Sequence, residues 1–463
     1  MVESGIDTFL SNRSRGTVPF GRPPVHASSS IAANIPTLAE GAARLTHARG
    51  VATILRKGAA GTKRSERSPG AGAGPFSILP EKLSGDSSMT RLCTMAFVLL
   101  VCVGLLLPMA AADTPEVLTR QAPPFPVILD PPGDEEEARY HVLRGDFHIH
   151  TPHSDGKVPP ADRVLEAWRY GYDVIAITDH GNFRAYDEAL PVAEALGMIF
   201  LRGIETGLSG QEHLVALDFS ADYEPRNPHH WAEAEGEERV FYQEQWRRLD
   251  DAGGFVLYAH PHVGLREPML WGIEEGLLRG IEVKNDVVGT GWGTVESHGT
   301  HWYPFALDWA LEHDLAVFAN SDIHGARDDT PQAVTLVLAE EQSVEGVVDA
   351  FESGRTIAYF NDMLVAREEL LALLVDNLVD VCLSAADDEQ TWLRIENRGP
   401  IALEASVEAA GLAAETVELG PYAQVLVGPA FPPADVTIEW TNLWTRSTEN
   451  LTTTHTITVS DAP

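Results

Sequence analysis

Short apolar segments alternate with amphipathic ones through residues 140–365 of this 463-residue chain. DVIAITD (173–179), MIFLRGIE (198–205) and FVLYAH (255–260) have the length and apolar content of buried strands. Between such segments, PADRVLEAWRYG and YPFALDWALEHD place apolar residues three or four positions apart, as on one face of a helix. This alternation predicts an α/β fold in which helices cover a parallel sheet, either as a barrel or as a doubly wound sheet.

The pattern changes after residue 365. The run REELLALLVDNLVD predicts a connecting helix over 366–380. The segments TWLRIENRG, EASVEAAG, AQVLVGP and DVTIEWTNLW then alternate apolar and polar residues at strand period, with turn residues between them. The sequence therefore predicts a small antiparallel β-sandwich-like domain over 381–463.

The region before residue 140 has the features of an export signal. Residues 89–112 contain a basic residue, an apolar stretch and three alanines in the order found in a secretory signal peptide. A membrane helix needs about 20 apolar residues, and Pro108 ends this stretch too early. We therefore expect a cleaved signal peptide and a secreted or periplasmic protein that keeps no membrane anchor.

The segments on either side of this signal are not predicted to form domains. Residues 1–88 are rich in Gly, Ser and Arg without periodicity, which favours a disordered or spurious N-terminal extension. Residues 113–139 are rich in proline and then acidic, as is typical of a linker.

Acidic residues dominate the charge of the chain. It contains 68 Asp and Glu against 33 Lys and Arg, which gives a formal net charge of −35. Affinity for nucleic acid depends on Lys and Arg that neutralise phosphates. We therefore expect no nucleic-acid partner, whereas the oligomeric state stays open at this point.

Several predicted strands end in residues that bind metal ions. The carboxyl ends of parallel strands meet on one face of an α/β fold, where active sites form. The candidate ligands at these positions are His148, His150, Asp155, His180, Glu205, His213, His260, Asp322 and His324. Six histidines and three carboxylates exceed one zinc tetrahedron. The set instead suits two or three ions bridged by a carboxylate.

Neighbouring polar residues have less specific positions. His153 is interpreted as a loop residue or as a donor to a ligand, and Asp179 as a group that orients an imidazole. In the motif AHPH, His260 is favoured over His262 as the ligand because it closes the predicted strand.

Six motifs in order along the chain resemble those of the PHP (polymerase and histidinol phosphatase) superfamily: FHIHTPHSDG, AITDH, GIET, EHLVAL, AHPH and NSDIH. Within it, EAWRYGYDVIAITDH and GRTIAYF are most similar to exported bacterial phosphodiesterases of the Sb-PDE type. The resemblance implies a distorted (β/α)7 PHP barrel over 140–365 that holds two to three divalent ions, Zn2+, Mn2+ or Fe2+.

The resemblance also implies how the ligands are shared. One ion would be held by His148, His150, Glu205 and Asp322, and a second by Glu205, His213 and His260. A third would be held by Asp155, His180 and His324. Some relatives have histidine at the position of Asp155, and a carboxylate there favours manganese or iron over zinc.

The expected reaction is metal-dependent hydrolysis of small phosphate esters, phosphodiesters rather than monoesters, by a metal-bridging hydroxide. Glu205 is the predicted bridging residue, and His262 or His298 the donor of the leaving-group proton. A phosphate oxygen is expected to contact Arg202, Lys284 or Asn285, although Arg202 fits a structural ion pair equally well. The alternatives are a histidinol-phosphatase-like phosphomonoesterase, an amide or lactone hydrolase, and a non-catalytic PHP scaffold with an envelope-binding β-domain.

Overall fold

A computed structural model describes ten stretches of the chain. They are residues 119–120, 127–131, 139–208, 212–226, 241–291, 293–327, 333–385, 391–409, 414–430 and 434–457. The predicted extension (1–88), the signal peptide (89–112) and most of the linker (113–139) lie outside them. All the described stretches belong to one compact unit, Leu106–Pro463. No helix in these stretches is long and apolar enough to span a membrane.

The first part of the described chain alternates strands with helices. Its strands are β1 (Ile128–Leu129), β2 (Tyr140–Asp146), β3 (Val174–Ile177), β4 (Ile199–Gly207), β5 (His213–Leu217), β6 (Phe255–Ala259), β7 (Gly280–Asn285), β8 (Val295–Ser297), β9 (Thr300–Trp302), β10 (Ala316–Asn320), β11 (Val334–Ala339), β12 (Thr356–Phe360) and β13 (Met363–Val365). Its helices are α1 (Pro160–Arg169), α2 (Ala185–Leu196), α3 (Tyr242–Asp251), α4 (Glu267–Glu274), α5 (Pro304–His313) and α6 (Val344–Glu352).

Seven strands form the ring that positions the site. They are hydrogen-bonded in the order β10-β7-β6-β5-β4-β3-β2. A parallel bridge between Ile149 and Ile323 joins the chain beyond β2 to the chain beyond β10, and the His150 amide donates to the Ile323 carbonyl at 3.1 Å. The predicted α/β class is confirmed, and this bridge brings the two ends of the seven-strand order together.

The strand–helix alternation predicts a parallel ring, but the observed ring contains one antiparallel strand. β5 runs antiparallel to both β4 and β6. Only residues 208–212 separate β4 from β5, whereas a parallel connection needs a crossover of a dozen or more residues. The reversal places the first residue of β5, His213, opposite Gly207, the last residue of β4.

Apolar side chains fill one end of the ring. Leu201, Val215 and Leu257 point inward from adjacent strands, and Phe351 of α6 belongs to the same buried cluster. The ring of Phe351 contacts that of Phe147 edge-on, with centroids 4.9 Å apart. This end is therefore closed by close packing, and the opposite end is left for polar side chains.

The last part of the chain is β-rich, as predicted. The connecting helix is α7 (Glu368–Leu378), followed by β14 (Val379–Ala385), β15 (Thr391–Asn397), β16 (Leu403–Ala409), β17 (Glu415–Leu419), β18 (Gln424–Ala430), β19 (Ala434–Arg446) and β20 (Glu449–Ile457). β14, β15 and β18 form one antiparallel sheet, and β19 pairs with β16 and β20 in another. Apolar residues of both sheets share one core, which confirms the sandwich-like architecture.

The second of these sheets continues into the first part of the fold. β19 pairs in parallel with β13 through Leu364 with Leu443 and Val365 with Trp444. The domain boundary at residue 381 therefore stays a prediction, since main-chain hydrogen bonds connect the two parts.

Candidate metal centre

Glu205 is the carboxylate on which the polar end of the ring converges. Its Oε1 lies 3.1 Å from His213 Nδ1 and 3.1 Å from His260 Nε2. Its Oε2 lies 2.6 Å from His180 Nδ1 and 3.3 Å from His148 Nε2. Because Glu205 faces inward at the end of β4, one side chain contacts histidines from several strand ends.

Two aspartates complete the cluster. Asp322 Oδ1 lies 3.0 Å from His150 Nε2, in the inner part of the site. Asp155 Oδ1 lies 3.1 Å from His324 Nε2 and 3.4 Å from His180 Nε2, towards the outside. Asp155 comes from the loop before α1, so the site combines strand ends with a loop.

All nine candidate ligands come together in this cluster. Their donor atoms form groups that lie within 4.8 Å of one another. The groups are His148–His150–Glu205, His148–His260–Asp322, Glu205–His213–His260, and His150–Asp155–His180–His324. The family resemblance implies less overlap between the ligand groups than the structure shows. In the structure His150 also lies beside the outer group, and His260 also lies beside Asp322.

Two of the nine residues have a left-handed backbone. The φ angle is 27° at His260 and 52° at Asp322, a conformation that costs a non-glycine residue of the order of 1–3 kcal/mol and that clusters at functional sites. At both positions the backbone carbonyl accepts a hydrogen bond from the imidazole of the histidine two residues later. The His260 carbonyl accepts from His262 Nδ1 at 2.7 Å, and the Asp322 carbonyl from His324 Nδ1 at 2.7 Å.

Opposite charges in the cluster shift the pKa values of its members. Burial alone would raise the pKa of Glu205, but His148 and His180 outweigh burial and hold this pKa well below its usual range. Burial would lower the pKa of His180, but Asp155 and Glu205 raise it to about 9. The buried carboxylates thus remain charged and require nearby positive charge, from imidazolium or from cations.

The donor set fits divalent metal ions. His148 Nε2 and His150 Nε2 are buried and lie 3.3 Å and 3.5 Å from the buried Glu205 Oε2. Their polar contacts with the described residues do not have the geometry of hydrogen bonds. Buried polar atoms are almost always hydrogen-bonded, so three converging atoms whose contacts lack that geometry mark a position for an ion. Imidazole nitrogens with carboxylate oxygens are ligands for zinc, manganese and iron.

Sequence reasoning missed the buried residues that support this cluster. Glu282, in the middle of β7, accepts a hydrogen bond from His148 Nδ1 at 2.9 Å. Asp146, at the end of β2, pairs with the buried Arg327. Arg163 of α1 donates to the His150 carbonyl at 2.9 Å. A charged residue within an apolar strand, as in GIEVKN, was the available signal for Glu282.

Asp179 does not orient an imidazole directly, so that interpretation was wrong. Its carboxylate accepts from the Thr151 amide at 2.7 Å, the Thr151 hydroxyl at 2.6 Å and the Ser154 hydroxyl at 2.6 Å. It therefore fixes the loop that follows His150.

Two further histidines lie apart from the cluster. His153 faces Glu188 of α2 at 2.9 Å, as expected for a loop residue. His298, in the β8–β9 turn, faces Glu404 of the C-terminal sheet at 3.6 Å, which argues against its role as a proton donor.

Lys284 and Asn285 have structural partners, contrary to their predicted contact with phosphate. The ammonium of Lys284 is buried against Asp286 at 2.9 Å. The side chain of Asn285 accepts from the amides of Val287 and Val288 and donates to Glu282.

His262 stays a candidate. It is half-buried, and its ring centroid lies 5.4 Å from that of His260.

Arg202 lies on the other side of the sheet from the site. Leu201 and Glu205 point into the ring, and side chains alternate along a strand, so Arg202 points outward. Its guanidinium donates to the Phe219 carbonyl at 2.7 Å and lies 4.5 Å from the centroid of the Tyr186 ring. The expected contact with phosphate is therefore wrong, and the role of Arg202 is structural.

Replacing Arg202 by methionine should separate stability from activity. Loss of a hydrogen bond from a charged group costs about 1–3 kcal/mol, so the free energy of unfolding should fall by that amount. The value of kcat/KM should stay within about twofold, since the guanidinium is remote from the ligands. Denaturant unfolding measures the stability and steady-state kinetics the activity. A large loss of activity without a loss of stability would indicate that Arg202 acts in the site.

Comparisons with known proteins agree with this geometry. Residues 146–253 match the model of the PHP domain. A solved two-domain protein of Bacteroides vulgatus, described as containing a predicted PHP-like metal-dependent phosphoesterase, aligns with a TM-score of 0.56 at 25% identity. The alignment covers 71% of this chain and 98% of that one.

Curated relatives match over shorter stretches. A 5'-3' exoribonuclease of Haemophilus influenzae is 35% identical over 77 residues, which are 16% of this chain and 28% of the relative. A DNA polymerase III of the PolC type from Lacticaseibacillus paracasei is 35% identical over 113 residues, 24% of this chain and 7% of the relative. The chain thus spans less than a third of either relative. Residues 146–253 therefore match the PHP domain, and the fold is similar to that of a two-domain protein described as containing a PHP-like part.

Proposed function

We propose that this chain is an exported hydrolase of small phosphate esters that uses two to three divalent ions and favours phosphodiesters over monoesters. The observation that carries the proposal is the carboxylate of Glu205, whose two oxygens each face histidines of a different ligand group. A carboxylate shared in this way suits two ions held a few ångströms apart, about 3.5–4 Å in two-metal hydrolases.

Bound divalent ions at these groups would supply an activated water and neutralise the charge of the phosphoryl group. The chain's own residues hold the groups in place. Asp179 fixes the loop that follows His150, and Arg163 donates to the His150 carbonyl. Glu282 fixes the ring of His148. Ligands held in this way need little reorganisation during the reaction.

The outer side of the cluster is the side that a substrate can reach. The side chain of Asp155 is 53% exposed and that of His324 is 27% exposed, whereas His148 and His150 are fully buried. A phosphate ester would therefore approach beside Asp155 and His324. This opening also admits water, which a hydrolase requires.

A panel of esters tests the proposed reaction. The full chain with added Mn2+, Zn2+ or Fe2+ should hydrolyse bis(p-nitrophenyl) phosphate faster than p-nitrophenyl phosphate. It should leave p-nitrophenyl acetate and a single-stranded oligonucleotide intact. Faster cleavage of the acetate would favour the amide or lactone hydrolase class instead. Bound ions without turnover of any ester would favour the non-catalytic scaffold.

Export is tested separately. If residues 89–112 act as a signal, protein recovered outside the cytoplasm should begin at Asp113, because the three alanines precede it. N-terminal sequencing of the recovered protein measures this. An N-terminus upstream of residue 89 in the exported protein would contradict the assignment.

A further inference from the structure

Glu282 is a fully buried carboxylate that contacts two different metal-ligand groups. It lies on β7, and its exposure is 0%. Oε1 accepts from His148 Nδ1 and Asn320 Nδ2, both at 2.9 Å. Oε2 accepts from the His260 amide at 2.6 Å and Asn285 Nδ2 at 2.9 Å. Four donors therefore occupy the four acceptor sites of one carboxylate.

The two asparagine amides cannot turn around to suit a different partner. Asn320 Oδ1 accepts from the Phe147 amide at 3.0 Å. Asn285 Oδ1 accepts from the Val288 amide at 2.8 Å. A backbone amide is always a donor, so both asparagines must present their NH2 groups to Glu282. An acceptor-only side chain is required at this position.

Glu282 determines how two ligands face the cluster. Because His148 donates from Nδ1, its Nε2 carries the lone pair that points towards Glu205. Because Glu282 also accepts from the His260 amide, it holds the left-handed backbone at that residue. His148 belongs to the group with His150 and Glu205, His260 belongs to the group with Glu205 and His213, and both also lie in the group with Asp322.

We propose that Glu282 is a positioning residue that couples the two metal positions joined by Glu205. This inference rests on the metal centre of the proposed function. The outer group of His150, Asp155, His180 and His324 shares no hydrogen bond with Glu282 in the described structure, so the loss of Glu282 does not act on it directly. The loss of the Glu282 charge weakens two positions together and leaves the third filled.

Metal content of the Glu282→Gln variant tests this coupling. The amide of glutamine places an NH2 group against two donors whichever way it turns. Mutation of such a supporting partner typically weakens metal affinity by about 10–100-fold. After dialysis of the full chain against a free Mn2+ concentration that just saturates the unmodified protein, Glu282→Gln should retain about one ion. Elemental analysis gives the stoichiometry, and a Co2+ titration gives the ligand-field spectrum of each position.

Three further variants separate coupling from general damage. Asp155→Asn should show the reciprocal pattern, in which the outer ion is lost and the two coupled ions are kept. Asn397→Ala removes the four hydrogen bonds of a buried side chain in the C-terminal sheets and should lower stability without changing metal content. Glu282→Asp keeps the four acceptor sites on a shorter side chain, so its affinity should lie between those of the unmodified protein and Glu282→Gln.

The outcomes distinguish a failure of the Glu282 inference from a failure of the proposed function. Metal content of Glu282→Gln equal to that of the unmodified protein, or an equal loss at all positions, overturns the coupling. Weaker binding by Glu282→Asp than by Glu282→Gln also overturns it, since volume rather than acceptor chemistry would then decide. Fewer than two ions in the unmodified protein overturns the proposed function itself.

Discussion

Replacing Glu205 by glutamine should lower kcat on a phosphate diester by roughly 10³-fold, because charge stabilisation by a metal centre is worth several kcal/mol and each 1.36 kcal/mol is tenfold in rate. Both oxygens of this carboxylate face histidines of the cluster. The glutamine amide keeps one oxygen and replaces the other by an NH2 group, which cannot bind a cation. Steady-state kinetics at saturating Mn2+ measures the effect.

Glu188→Gln provides the matched control for this experiment. Glu188 also lies beside a histidine, with Oε1 2.9 Å from His153 Nε2, but on the surface of α2 and outside the cluster. The same chemical change there should leave kcat within about twofold, as for most surface substitutions. Activity of Glu205→Gln that stays near that of Glu188→Gln would remove Glu205 as the bridging group.

Replacing Asp146 by asparagine should lower the free energy of unfolding by about 3–5 kcal/mol, which is the usual effect of breaking a buried ion pair. The side chains of Asp146 and Arg327 are both fully buried and paired with each other. Asp146 also accepts from the amide of Ser321 at 3.1 Å and from its hydroxyl at 2.5 Å. Since Ser321 precedes the ligand Asp322, the variant should also weaken metal binding.

Two companion variants test whether an unpaired buried charge causes this loss of stability. In an Asp146→Leu, Arg327→Met double variant no charge is left unpaired, so much of the lost stability should return. Glu449→Gln breaks an exposed pair with Arg446 and should cost at most about 0.5 kcal/mol. Denaturant titration of each variant measures the free energy of unfolding. If Asp146→Asn is no less stable than Glu449→Gln, the buried pair does not hold the barrel together.

The strand ends were predictable from two sequence patterns: short apolar runs for the buried strands, and apolar residues three or four positions apart for the helices. Apolar runs placed β4 and β6 to within two residues of their observed bounds, and the residues after them were the ones with metal-binding chemistry. The direction of β5 was not predicted. Its reversal depends on the short connection after β4 and brings His213 to the edge where Glu205 lies.

The errors at the site have a common cause. Arg202, Lys284 and Asn285 were chosen for their closeness in sequence to strand ends. Which face a side chain occupies depends on strand register, and a change of one residue reverses it. Arg202 lies one residue from the inward-pointing Leu201 and therefore faces Tyr186 instead of the cluster. Lys284 and Asn285 instead bind groups within three residues of themselves, such as Asp286 and Glu282, which closeness to a strand end does not reveal.

By itself, the sequence determined the α/β class, the β-rich C-terminal part and the nine residues that meet at the site. Those features follow from periodicity and side-chain chemistry, both of which are local. Only the tertiary structure decided which carboxylates support the cluster, as Glu282 and Asp146 do, and which polar residues serve packing. Burial and hydrogen-bond partners arise from residues more than a hundred positions apart, such as His148 and Glu282, so they exist only once the ring has closed.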